Sequence, residues 1–223
     1  MAAITLLRHG QASFGADNYD QLSELGHQQA YWLGQHLRRL DESYDRVLAG
    51  TMVRHDQTAQ GVLSGLGEAI PVHYHAGLNE YDFQGLLTPL KAQHPEQWLE
   101  TGHAKRDYYH NMKLALAYWM DGTITSDGTD SWPEFCARIQ AAFAAACQDD
   151  AKRTLIVSSG GPVAVILQSV LQLGETKTRD LILQIKNSST SKLLYNRVDL
   201  TLDSFNDISH LLTPDKKHGI TFS

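Results

Sequence analysis

Near the start of the chain an apolar run, Ile4-Thr5-Leu6-Leu7, leads directly into Arg8-His9-Gly10. A guanidinium recognises phosphate or carboxylate through a planar fork, and an imidazole attacks or relays protons near neutral pH. Delivered together at the end of a buried strand, with Gly10 permitting a sharp turn, the two groups share one edge of the fold. Three other places carry matching chemistry. Arg54 stands one turn into a predicted helix, where a cation opposes the helix dipole unless an anion lies in front of the terminus. Glu80, in Leu78-Asn79-Glu80-Tyr81-Asp82, follows another predicted strand, and Asp82 is its nearby competitor. Desolvation and negative neighbours would raise the pKa of such a carboxyl and suit it to protonate a leaving alcohol. Ser159-Gly160-Gly161 ends a strand and opens a helix, where backbone N–H groups form an anion site. Together they offer a candidate nucleophile or proton relay, two cations, a candidate general acid and an anion site.

Hydrophobic periodicity predicts the elements that must hold these groups. A strand over Ile4–Leu7 is followed by a loop over Gln11–Asp20. Ser23 then caps a helix with Leu25, Ala30, Leu33, Leu37 and Leu40 on one face. Further strands are predicted at Tyr44–Ala49, at Ile70–His75 (an edge, given Pro71) and at Thr154–Ser158. Helices are predicted over Val53–Leu66, from the Ser131-Trp132-Pro133-Glu134 capping box to Cys147, over Val163–Leu173, and over Lys177–Ile185. Late strands at Leu193–Tyr195 and around Phe205 read as antiparallel or edge strands. Residues 84–130, with Pro89, Pro95 and several aromatics, read as two or three short helices and a loop, an insertion over one end of the sheet. The alternation predicts an α/β fold: a three-layer α/β/α sandwich with a mostly parallel central sheet, one domain over 1–223 with a cap region at about 84–130. Ligands of such folds sit beyond the carboxyl ends of the strands, where all four chemical groups fall.

Composition sets outer limits. The chain has 223 residues and a formal net charge of −6, which argues against nucleic acid or an anionic membrane as partner. No run approaches the roughly 18 apolar residues of a spanning helix, and Met1-Ala2-Ala3, with no basic n-region or apolar signal core, is expected to lead straight into a strand. Cys136 and Cys147 lie eleven residues apart on one predicted helix, about 16 Å, too far to bridge. A cytoplasmic protein is expected. Neither G-x-G-x-x-G nor G-x-x-x-x-G-K-[ST] occurs, which sets aside dinucleotide and P-loop roles. Ser159, Asp207 and His210 have the chain order of a serine hydrolase, but Val157 stands where the nucleophile turn needs a small residue.

Five motifs occur in order: Arg8-His9-Gly10; Ser23-Glu24-Leu25-Gly26 with Gln29-Ala30; Arg54 with Gln57-Thr58-Ala59; Leu78-Asn79-Glu80; and Val157-Ser158-Ser159-Gly160-Gly161. With Phe205-Asn206 and His210-Leu211, they make the chain resemble the histidine phosphatase superfamily, the phosphoglycerate-mutase-like fold, nearly everywhere outside 84–130. The resemblance implies that His9 takes a phosphoryl group, that Arg8 and Arg54 clamp its oxygens, and that Glu80 protonates the leaving oxygen and later activates water. Ser159 and Gly160 would complete the phosphate site, with no metal or other cofactor. The implied partner is a small phosphorylated substrate or phosphate; oligomeric state is left open. One departure stands out, because the family places a second histidine where this chain has Ser159. A shorter, uncharged donor there implies a phosphatase of reduced activity, or an impaired phosphate-binding or regulatory protein on the same fold. His55 adjoins Arg54, but neighbouring helical residues point about 100° apart, which makes it a poor substitute. The Tyr81-Asp82-Phe83-Gln84 continuation and the loop after Gln11 argue against a true phosphoglycerate mutase.

Overall fold

In a computed structural model of the protein, residues 2–13, 20–125, 128–148, 151–196 and 199–222 are described. Of the predicted loop over Gln11–Asp20, residues 14–19 lie outside them. Among the described residues six strands form one sheet: β1 (Ala2–Arg8), β2 (Arg46–Ala49), β3 (Val72–Tyr74), β4 (Arg153–Ser158), β5 (Thr190–Tyr195) and β6 (Leu200–Asp207), in the order β3-β2-β4-β1-β5-β6. The first four strands of that order run parallel, whereas β5 and β6 are antiparallel, with β3 and β6 at the edges as expected. The parallel run puts the C-terminal ends of β1 to β4, and the loops that follow them, along one edge.

The apolar strands alternate between two cores. Leu7, Val47, Leu155 and Val157 face a cluster with Ala30, Leu33 and Leu37 of α1 (Glu24–Arg39) and with Ala59, Val62 and Leu63 of α2 (Val53–Leu66). Leu6 and Ile156 face the opposite cluster, shared by α3 (Phe83–Gln93), α4 (Ala104–Met120), α5 (Trp132–Cys147), α6 (Gly160–Leu171) and α7 (Glu175–Gln184). A strand covered on both faces needs apolar residues at every position, which accounts for the unbroken Leu155-Ile156-Val157 run. The architecture is the predicted α/β/α sandwich.

Several elements differ from expectation; β5 begins at Thr190 rather than Leu193, and α6 and α4 differ as well. α6 begins at Gly160, three residues before the predicted Val163, because Pro162 in a first turn costs no hydrogen bond there. α4 is a full-length helix of 17 residues. Its Met112, Ala115, Leu116 and Trp119 recur at helical spacing and are buried, a period obscured in sequence by the polar and aromatic residues between them.

The entry to α1 is tied to the turn after His9. Ser23 caps the helix, its Oγ accepting the Gly26 N–H at 3.1 Å while donating to Gln11 Oε1 at 2.9 Å. The backbones of Gly10 and Gly26 meet so closely that a Cβ on Gly26 would overlap the Gln11 carbonyl oxygen. Backbone on backbone leaves no side chain to move aside. Gly26→Ala is therefore expected to destabilise the protein by about 1–3 kcal/mol in urea unfolding and to displace the Gly10–Gln11 turn.

Candidate active site

Arg8, His9, Arg54, Glu80, Ser159 and Gly160 come together at the carboxyl edge of the parallel strands. β1 and β4 are adjacent, with Arg8 opposite Ser158 and the His9 N–H donating to the Ser158 carbonyl at 2.8 Å. His9 and Ser159 are therefore the next residues off two neighbouring strand ends. His9 is buried, and its Nδ1 lies 2.6 Å from its neighbour's carbonyl, Gly10 O. A carbonyl only accepts, so Nδ1 carries the proton and Nε2 presents a bare lone pair. The His9 carbonyl is itself held by the Ser188 N–H at 3.1 Å and Asn187 Nδ2 at 3.4 Å.

Both guanidiniums are buried: Arg8 is 5 % exposed and Arg54 3 %. Arg8 Nη1 donates to the Ile185 carbonyl at the end of α7. Arg54 Nη1 meets Asp20 Oδ1 at 2.8 Å, and the other oxygen of that carboxylate accepts the Val53 N–H at 3.0 Å. The anion that a cation at this helix start calls for is thus the chain's own Asp20. Burial, then Arg54, Arg8 and His55, holds the His9 imidazole well below its ordinary pKa against the opposing bond to Gly10 O. His9 is neutral at physiological pH.

Glu80 is half-buried beside the start of α6. Its Oε2 accepts the Gly161 N–H at 3.1 Å, and a Cβ on Gly161 would overlap the carboxyl. Burial raises its pKa, outweighing the Gly161 N–H, Arg54, Arg8 and the Tyr81 N–H, which favour the charged form. Asp82, the alternative, is exposed and caps α3 by accepting the Gln84 N–H at 3.0 Å. The loop around Glu80 is fastened from three sides. Ser158 Oγ donates to Leu78 O at 2.6 Å, the Asn79 amide pairs with the Thr51 N–H and Oγ1 at 2.7 Å each, and Arg138 Nη1 donates to Asn79 O at 2.8 Å.

His55 is the residue that sequence reasoning set aside. Its Nε2 lies 2.7 Å from Ser159 Oγ, its ring centroid is 5.7 Å from that of His9, and it is fully buried. The 100° between neighbouring helical residues does not separate it from Arg54, because the first turn of α2 abuts the crevice and both directions point inward. No spacing in the sequence gives this away; in the structure the ring fills the space that a Cβ on Gly50 would take, against His55 Nδ1. Thr58 was also missed as a positioning group: its Oγ1 accepts the Gly10 N–H at 3.1 Å and donates to Arg54 O at 2.7 Å. The serine-hydrolase alternative fails on geometry, since His210 Nε2 lies 2.8 Å from Ser188 Oγ, on a different serine from Ser159.

These features define an α/β fold that gathers a buried imidazole and two buried guanidiniums at the carboxyl edge of its parallel strands. Residues 4–208 match the histidine phosphatase superfamily (branch 1), and the chain belongs to it. It is 26 % identical over 144 residues to the 2,3-bisphosphoglycerate-dependent phosphoglycerate mutase of Bartonella quintana, covering 61 % of this chain and 68 % of the mutase. To the mitochondrial serine/threonine-protein phosphatase Pgam5 of Drosophila virilis it is 29 % identical over 177 residues, 76 % of this chain but 50 % of that protein. The phosphoglycerate mutase structure from Bacillus anthracis shares the fold, with a TM-score of 0.66 over 94 % of each chain at 20 % identity. No helix among the described residues is long and apolar enough to cross a membrane.

Buried neutral imidazoles carry a cost in acid. His55 is held well below its ordinary pKa by burial and then Arg54, and His210 is lowered to about 3 by burial and then His36. With His9, and with His36, which burial and then Arg39 lower, that makes four histidines among the described residues whose folded pKa lies below the unfolded value of 6.5. Below that value the unfolded chain takes up protons that the folded chain refuses, so stability falls with pH by up to about 1.4 kcal/mol per unit for each buried ring, and by less for the half-buried His36. Glu80 works oppositely, its contribution being lost as pH rises through its raised folded pKa. Urea unfolding between pH 7 and 5 is expected to show falling stability, with a shallower slope in His210→Gln.

Proposed function

We propose that the protein hydrolyses a phosphate monoester through a phosphohistidine on His9. The observation that carries this reading is the His9 ring itself, proton fixed on Nδ1 and lone pair free on Nε2, between two buried guanidiniums. Nε2 attacks phosphorus, the P–O bond to the alcohol breaks, and its electron pair leaves with the alcohol oxygen. That oxygen takes the proton of Glu80. In the second half water attacks phosphorus as Glu80 takes its proton, the P–N bond breaks, and its pair returns to Nε2, releasing phosphate. Arg8 and Arg54 neutralise the non-bridging oxygens, with Ser159 and the Gly160 N–H opposite them. An incoming phosphate replaces the Asp20 carboxylate at Arg54 and at the α2 terminus.

The substrate class is a small phosphorylated molecule. Hydrolysis is favoured over phosphoglycerate transfer by the residues after Glu80, Tyr81-Asp82-Phe83-Gln84, which put an aromatic ring beside the acid. The free thiols of Cys136 and Cys147 support work in a reducing compartment such as the cytoplasm. A second reading, phosphate binding without turnover, is favoured by the uncharged Ser159 where relatives of this class are expected to carry a histidine.

Hydrolysis of an aryl phosphate by wild type and His9→Ala, with a search for acid-labile phosphohistidine, separates the two. The proposal expects label and turnover in wild type alone; equal rates in both proteins would sink it. With an alkyl phosphate, kcat/KM is expected to decline on the alkaline side as Glu80 loses its proton. Glu80→Gln is expected to remove that limb and lower kcat by about 10²–10⁴.

A further inference from the structure

Ser159 is the N-cap of α6 in an extended conformation, yet its hydroxyl makes no capping bond to the helix. Its partner is His55 Nε2 at 2.7 Å, and both side chains are completely buried. The direction of this bond decides what Ser159 offers to the crevice. If Ser159 donates to a bare Nε2, only oxygen lone pairs remain to face a bound anion. If Nε2–H donates to Oγ, the hydroxyl proton stays available.

The other ring nitrogen settles the direction. His55 Nδ1 is buried without a hydrogen-bond partner, and the α-hydrogen of Gly50 that a Cβ would replace points straight at it. An N–H on Nδ1 would abut a C–H and leave a buried donor unsatisfied, a rare and costly arrangement. A lone pair there meets the C–H without conflict. A neutral imidazole has one N–H, so the proton belongs on Nε2. The sheet supplies the aim: Ser159 leaves β4 beside His9 leaving β1, and the two imidazoles lie 5.7 Å apart.

We propose that His55 and Ser159 form a two-residue oxyanion donor, in which His55 Nε2–H donates to Ser159 Oγ and frees the Ser159 hydroxyl proton for a phosphoryl oxygen beside His9. Ser159 is the catalytic residue, touching the transferring group; His55 is the positioning residue, acting through it. The N–H to O–H to oxyanion chain polarises along its length as negative charge develops. The proposal rests on phosphoryl binding at His9, as set out under the proposed function.

Kinetics with an aryl phosphate and affinity for vanadate, measured on Ser159→Ala, His55→Leu, His55→Gln and the Ser159→Ala/His55→Leu double variant, test it. Ser159→Ala and His55→Leu are each expected to lower kcat at least about tenfold, with KM changed far less. The double variant should fall no lower than Ser159→Ala, because His55 acts only through the hydroxyl. His55→Gln, which restores an N–H near the Nε2 position, should return to within about fivefold of wild type. Independent, multiplying effects, or a wild-type kcat in either single variant, would overturn the proposal. Long-range ¹H–¹⁵N spectra of wild type read the tautomer directly, whatever the variants' folding: Nε2–H is expected, and Nδ1–H refutes it. If wild type cleaves no ester and forms no phosphohistidine, hydrolysis falls. The tautomer and the loss of vanadate affinity in Ser159→Ala and His55→Leu then still decide the pair.

Discussion

Two guanidiniums buried at the end of a parallel sheet set the electrical terms for everything near them. An isolated buried cation is too costly to keep, so each is anchored: Arg8 to the Ile185 carbonyl, Arg54 to Asp20. Their field then dictates protonation around them. It helps burial keep the imidazoles of His9 and His55 neutral, and it acts against the desolvation that protonates Glu80. A neutral imidazole and a protonated carboxyl are the pair of states that phosphoryl transfer to a histidine requires. The guanidiniums thus help keep His9 neutral, whereas the proton on Glu80 is held by burial against them.

That field is useful only if the groups hold still, and the surrounding hydrogen bonds fall mainly on backbone. The Gly10 N–H rests on Thr58, the His9 carbonyl on Asn187 and Ser188, the Leu78 carbonyl on Ser158, and the Asn79 carbonyl on Arg138. Gln29 reaches further, accepting the Gln11 N–H at 2.7 Å and donating to the Gly219 carbonyl at 2.7 Å. The C-terminal segment is thereby tied to the turn that follows His9. None of these residues needs to touch a substrate to matter to its geometry.

Much of this was legible in the chain. Apolar runs ending in polar groups place Arg8, His9, Glu80 and Ser159 at strand ends, and a parallel sheet must gather such ends along one edge. Arg54 was legible through its awkward position at a helix start. What escaped was orientation. Whether His55 faces the crevice depends on how α2 is rolled against the sheet, which the cores on both sides decide jointly and no local spacing reveals. The Gly161 N–H illustrates the same limit: the Gly-Gly pair reads as an anion site, yet this N–H is already engaged by Glu80. The length of α4 escaped for a different reason, since its buried stripe is diluted by exposed aromatics and charges.

Gly50 lies on no list of chemically active residue types, yet the seat of the His55 ring depends on it. The His55 ring fills the space a side chain at 50 would need, so positions 50 and 55 cannot vary independently. The dependence runs one way: glycine at 50 accepts any residue at 55, whereas a side chain at 50 is met by the imidazole as it now stands.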